Sequence, residues 1–230
     1  MDFGAMFQTW INVLTRPNEE TFQEERQKSH ATLTTALIWI AVAAFIAAIF
    51  SIIGSLVGAA LGGGASLIQG FLNQADVPPE VRQQLLPLLG GGAAVAGGGL
   101  FAAFCTALIL APIGFLIGSA IYWVVAKLFG GEGSFEEQTY LLATFSAPLM
   151  VVNGVVSVVP YLGGCVSFLI SLYQLVLSYF AIKVSHDLTP GKAIAVIILP
   201  VAVVFICVIC LAVVMLLVLG PALGDAFGNL

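Results

Sequence analysis

Cys207 and Cys210 stand in the run Phe205-Ile-Cys-Val-Ile-Cys-Leu, a C-x-x-C pair. That spacing marks redox or metal chemistry elsewhere. Such chemistry needs a neighbour that lowers a thiol pKa, or His and carboxylate groups that complete a metal shell. Neither stands near this pair, so it is read, with Cys105 and Cys165, as small apolar packing residues. His30 and His186 sit at the edges of apolar runs. A catalytic base needs an orienting partner and a reacting group in reach, and the adjacency His186-Asp187 is no triad, so both are read as interfacial residues. The triplets Gly62–Gly64, Gly90–Gly92 and Gly97–Gly99 lack the spacing of a phosphate-cradling loop and are read as joints. The reading therefore assigns no catalytic, cofactor-binding or metal-ligating residue.

The remaining polar candidates lie inside apolar runs. An ionisable group within a membrane span is a functional site by default, but none of the apolar runs carries Asp, Glu, Lys, Arg or His near its centre. That counts against a proton-coupled transporter and an intramembrane protease. Asn153 and Gln174, with Ser171, Tyr173, Ser178 and Tyr179, are the side chains left. They could line a polar path, or bond across neighbouring helices for about 0.6 kcal/mol each; structural bonding is the preferred reading.

The elements that position these residues follow from composition. The chain is 60% hydrophobic and 8% charged, with mean hydropathy +1.09. A soluble domain is roughly a quarter charged, so lipid must solvate much of this one. Seven Lys and Arg scattered singly exclude nucleic acid as a partner. The first apolar run begins near Thr32 and is too long for a signal peptide, so the chain is expected to be mature from Met1. The fold class expected is all-α, a polytopic membrane helix bundle. Its five spans cover residues 32–61, 100–129, 140–159, 162–183 and 193–219, preceded by a charged helical segment at 1–31 and followed by a short tail at 220–230.

Phe3, Met6, Phe7, Trp10, Ile11 and Leu14 fall on one face of an amphipathic helix, opposite Gln8, Thr9 and Asn12. That face suits either the headgroup zone or the protein's own bundle. Pro17 breaks the helix and Asn18 caps the next, which carries a Glu24–Lys28 pair and is expected to run on into the first span. Gly54, Gly58 and Gly62 recur every four residues and predict a close helix–helix face, with Gly114 and Gly118 of the second span or a second copy as its partner. Short interfacial helices are expected between residues 62 and 99, and kinks at Pro112, Pro148 and Pro200. Arg16, Arg26, Lys28, Lys127, Lys183 and Lys192 fall on one side of this topology and Arg82 on the other. The bias of basic residues places the N-terminus in the cytoplasm and the C-terminus outside.

The order of motifs resembles the Yip family, also called the Yip-one domain family. The residues that carry the resemblance are Trp10-x-x-Val-Leu-Thr-x-Pro17 with Phe22, then Gly130-Gly131-x-Gly-Ser-Phe135, Pro148, Pro160-x-x-Gly163-Gly164 and Lys192-Ala193. The resemblance covers nearly the whole chain and implies five spans with a cytoplasmic N-terminus. Founding members of the family bind small GTPases of the Rab/Ypt class. Eukaryotic members carry a longer N-terminal region with an Asp-Leu-Tyr-Gly-Pro motif, which is missing here, so the short N-terminus is similar to the prokaryotic branch. GTPase binding is therefore carried to no residue of this chain. The expectation is a non-enzymatic multi-pass protein of a prokaryotic cytoplasmic membrane, without cofactor. It would act as a scaffold or trafficking-type factor through contacts with lipid, other membrane proteins or further copies of itself. The alternative is a small-solute transporter or channel built on the proline kinks and a lining of Asn153 and Gln174.

Overall fold

The computed structural model describes residues 3–60, 99–159 and 162–228. These form seven helices: α1 (Phe3–Thr15), α2 (Glu19–Arg26), α3 (Leu33–Ala60), α4 (Gly99–Leu128), α5 (Phe135–Val156), α6 (Leu162–His186) and α7 (Pro190–Gly228). Among the described residues there is no strand. Five helices, α3 to α7, are long and apolar enough to cross a membrane. The interfacial helices expected between 62 and 99 fall almost entirely outside the described residues, as do Gly62, Arg82 and Pro160.

The chain divides into two compact units, Met1–Gly54 with Phe104–Pro200, and Ser55–Ala103 with Val201–Leu230. In the second, residues 201–214 of α7 are exposed throughout and almost wholly apolar, as a helix solvated by lipid should be.

Short-range signals set the helix ends in the first unit. α1 stops before Pro17, and the Asn18 side chain accepts a hydrogen bond from the Thr21 amide at 2.8 Å, capping α2. α2 does not run on into α3. It ends at Arg26, and Thr32 opens α3 by accepting from the Thr35 amide at 3.2 Å. The free amide of Leu33 donates to the Glu136 carboxylate at 2.9 Å, so a residue from the start of α5 completes the cap. Lys28 pairs with Glu25 rather than Glu24, because Glu25 points inward and Glu24 is exposed. α4 closes on Gly130 at φ 85°. The Gly131 amide reaches the Ala126 carbonyl and the Gly130 amide that of Lys127, a Schellman closure whose left-handed position glycine fills without strain. α5 begins at Phe135, five residues before the apolar run, because Ser134 caps it and Glu136 and Glu137 occupy its first turn.

Packing turns α1 away from its expected face. Met6, Thr9, Trp10 and Val13 are buried, while Phe7 and Ile11 are exposed. The inward face meets α5, and α2 lies along α6. The main core joins these with Trp39 and Ile40 of α3, Tyr140, Leu141 and Phe145 of α5, and Leu177 and Ala181 of α6. Its aromatic centre is edge-on and stacked: Trp10 on Trp39, and Phe22 on both Phe145 and Phe180. A second cluster joins Val125 and Ala126 of α4, Ile182 of α6, and Ala193, Val196 and Ile197 of α7.

α3 and α5 cross on small residues. A Cβ added at Gly154 would lie 2.7 Å from the Ala47 Cα, and one at Gly54 would lie 2.9 Å from the Ser157 carbonyl oxygen. Gly54 thus meets α5's end, a partner that the glycine spacing does not name. Among the described residues, a Cβ at Gly58, Gly114 or Gly118 would have no neighbour within 4 Å. Gly154→Ala is therefore expected to lower thermal stability in detergent by about 1–3 kcal/mol, the cost of forcing atoms into a packed contact. Gly58→Ala should leave it unchanged or slightly raised. Equal melting of the two variants would contradict this crossing.

Candidate functional site

The polar residues of the first unit gather at the end of the bundle where α1 and α2 fold against it. The hairpin is threaded inward. The Tyr173 hydroxyl donates to the Leu14 carbonyl at 2.6 Å, satisfying an otherwise unpaired acceptor at the end of α1. Tyr173 stands about 20 Å along α6 from His186 at the helical rise, so the hairpin's turn reaches near the middle of that helix. α2 lies beside the last turns of α6. Glu19 pairs with Lys183, Phe22 stacks on Phe180, and Arg26 reaches Val184.

Glu25 is the buried charge of this junction, 2% exposed. Its carboxylate accepts from Lys28 Nζ at 2.5 Å, Thr9 Oγ1 at 3.2 Å and the Tyr140 hydroxyl at 3.4 Å. One acidic group thereby joins α1, α2 and α5. Lys28 also donates to Thr9 Oγ1 at 3.2 Å, which accounts for a threonine on the inner face of α1. His30 packs its ring on Trp39 and Tyr140, closing the site from the α2–α3 turn.

Arg26 makes the next link. Its Nε pairs with the Glu137 carboxylate. Its Nη1 donates to the Val184 carbonyl at 2.8 Å and lies 3.4 Å from Asp187. Asp187 holds the left-handed position after α6 with φ 51°, a conformation that aspartate tolerates better than most residues. A single guanidinium thus joins α2 to the start of α5 and the end of α6, using a planar donor set that lysine lacks.

Beneath Arg26 lies a buried amide–imidazole pair. Gln138 Nε2 donates to the Ser119 carbonyl at 2.8 Å, and Gln138 Oε1 lies 2.7 Å from His186 Nε2. With the amide so oriented, the imidazole donates through Nε2 and Nδ1 carries no proton, an assignment made from the network. Ser119 and Thr139 share a hydrogen bond at 2.6 Å. His186 is 1% exposed, not interfacial, and the loop from Gly130 to Gly133 lies against it. A Cβ at Gly131 would come 2.7 Å from His186 Nδ1, and one at Gly133 would come 2.0 Å from the Ser185 carbonyl oxygen. The loop is tied down from outside by Trp123 Nε1 on the Gly133 carbonyl at 3.3 Å and Lys127 Nζ on the Glu132 carbonyl at 3.1 Å. Phe135 packs edge-on against Trp123.

The residues singled out from the sequence separate accordingly. Pro17, Gly130, Gly131 and Phe135 belong to this junction or its borders. Lys192 is exposed on the first turns of α7, its Nζ 3.8 Å from where a Gly130 Cβ would stand. Pro148 is buried in α5, where it removes one helical hydrogen bond. Gly163 approaches the Val156 carbonyl across the turn, with 3.1 Å left for a Cβ. Asn153 lies toward the opposite end of α5, and Gln174 is half-buried on α6. Glu25, Glu137, Gln138 and Ser119 were not among the candidates. The run Phe135-Glu-Glu-Gln-Thr-Tyr140 does hold a signal for them, since polar residues continuing directly into a span need partners inside the protein.

This arrangement holds elements together. Most of its strong donors and acceptors are engaged with one another and the His186 proton is committed to Gln138, while Trp10 Nε1, His30 Nε2 and His186 Nδ1 have no hydrogen-bond partner among the described residues. Among the described residues no three His, Cys, Asp or Glu side chains gather as a metal site.

Comparison with known proteins yields one family: the model described as the Yip1 domain matches residues 11–219. No curated protein and no solved structure matches the chain.

The glycine loop makes a discriminating test. Gly131→Ala and Gly133→Ala should both destabilise the protein. His186→Ala should recover part of the loss for Gly131→Ala, because two of the atoms it meets, Nδ1 and Cγ, belong to the imidazole, while His186 Cβ at 2.9 Å stays. It should recover much less for Gly133→Ala, whose closest contacts are the Ser185 carbonyl oxygen at 2.0 Å and carbon at 2.7 Å, with His186 Nδ1 farther off at 3.0 Å. Thermal melting of the two double variants reads the difference, and equal rescue of both would contradict the contact.

Proposed function

Because the chain belongs to the Yip1 domain family and is a multi-pass membrane protein, we propose that it works as a non-enzymatic scaffold that presents a fixed surface to other proteins at the membrane. The observation that carries this reading is the way α2 is held. Its inner edge is fastened by Glu25, Arg26 and Phe22, while Glu20, Gln23, Glu24 and Gln27 form an exposed outer edge. A short helix held rigidly with a polar edge outward is suited to recognition, because little ordering entropy remains to be lost on binding. Small GTPases are partners by family analogy, and other membrane proteins are the broader class.

Orientation is part of the proposal. Arg26, Lys28, Lys127 and Lys183 take part in the junction, and the basic-residue rule puts that end in the cytoplasm. Cysteine introduced at Glu132 in a cysteine-free protein should be shielded from an impermeant thiol reagent in intact cells and react after permeabilisation. Reaction in intact cells would reverse the orientation.

The scaffold role is tested by site-specific photo-crosslinking from Gln23 in native membranes. Adducts with protein partners are expected, and Glu20→Lys with Glu24→Lys should remove them while leaving the fold intact. Purified protein in liposomes should move no solute. A flux abolished by Asn153→Leu would replace the scaffold reading with a transporter.

A further inference from the structure

At the end of the first unit remote from the hairpin, α3, α4, α5 and α6 leave a cavity of about 410 Å³. That size falls in the usual range for small-molecule sites. Small side chains create it: Ala44 and Ala48 of α3, Ala111 of α4, and Gly154 of α5 leave space where larger residues would fill the bundle. The helices cannot simply close on it, since α3 and α5 already meet in backbone contact at Gly154 and Ala47.

The lining is apolar apart from serines and Asn153, and no lining residue is charged. Asn153 Oδ1 is shielded and has no hydrogen-bond partner among the described residues. A buried amide oxygen left unpaired costs about 1–3 kcal/mol, and a donor entering the cavity would relieve that cost. The terminal torsion of an asparagine is broad, so the carboxamide turns readily to meet one. Asn153 lies one turn from the end of α5 at Val156, near the membrane boundary opposite the hairpin.

We infer that this cavity binds the hydroxyl-bearing end of a neutral lipid, with the adjoining carbons among the alanines, the rest of its chains in the surrounding bilayer and its hydroxyl donating to Asn153 Oδ1. The absence of charge from the lining disfavours an anionic or zwitterionic headgroup, which would lose its water without a compensating partner. The lateral setting among spans favours a lipid over a solute delivered from water.

Native mass spectrometry of the full chain in detergent tests this with dioleoylglycerol, with its acetyl ester, which keeps the acyl chains but lacks the hydroxyl, and with n-octanol. Dioleoylglycerol is expected to bind about tenfold more tightly than the ester, the worth of one buried hydrogen bond. Asn153→Leu should abolish that preference at nearly constant volume. Ala111→Phe, which fills the cavity, should abolish binding of both lipids, with the melting curve checking that each variant is folded. Equal affinity for alcohol and ester, an unchanged preference in Asn153→Leu, or binding of octanol alone would overturn the assignment. The readout is binding without a membrane barrier, so its result is independent of the liposome flux measurement.

Discussion

A carboxylate taken out of water must be matched by donors at the same place, and Glu25 sets that requirement for the whole N-terminal side of the bundle. Its partners come from α1, from the turn after α2 and from α5. Removing one partner of a buried ion pair typically costs about 3–5 kcal/mol, because the other charge is stranded. The three segments are thus not free to separate one at a time. Arg26 extends the same constraint to the start of α5 through Glu137 and to the end of α6 through Val184. The aromatic stack of Phe22 on Phe145 and Phe180 supplies apolar burial around it.

The bilayer explains why polar groups take this mechanical part. Lipid offers no hydrogen bonds, so helix ends and polar side chains at membrane depth must be satisfied by the protein. Tyr173 capping α1, Glu136 capping α3 and Arg26 capping α6 are three answers to that demand. Gln138 and His186 answer it for side chains. The glycine loop fits the same scheme, since only residues without a Cβ let the backbone close over the imidazole and the last carbonyls of α6.

What the sequence made legible was local. The five spans, the break at Pro17 and the Asn18 cap follow from apolar run lengths and short-range rules. The face of α1 was not legible, because Thr9 turns inward to meet Glu25, sixteen positions away. The start of α5 was obscured because Gln138 and Thr139, polar residues that read as a loop, are buried against Ser119 of α4 and His186 of α6. His186 reads as an interfacial residue until Gln138, 48 positions distant, is placed beside it. The Gly130-Gly131-x-Gly133 pattern was visible as a family motif, but its physical reason lies in α6. The α3–α5 crossing depends on Gly154 and Ala47, which carry no periodic signal.

Through Glu25 and Arg26, α2, the start of α5 and the end of α6 form one cooperative unit. Amide hydrogen exchange by mass spectrometry on the protein in nanodiscs measures this directly, comparing the natural chain with Arg26→Ala. Protection is expected to fall together in residues 19–26, 135–142 and 180–187. Loss confined to residues 19–26, with the other two segments unchanged, would contradict it.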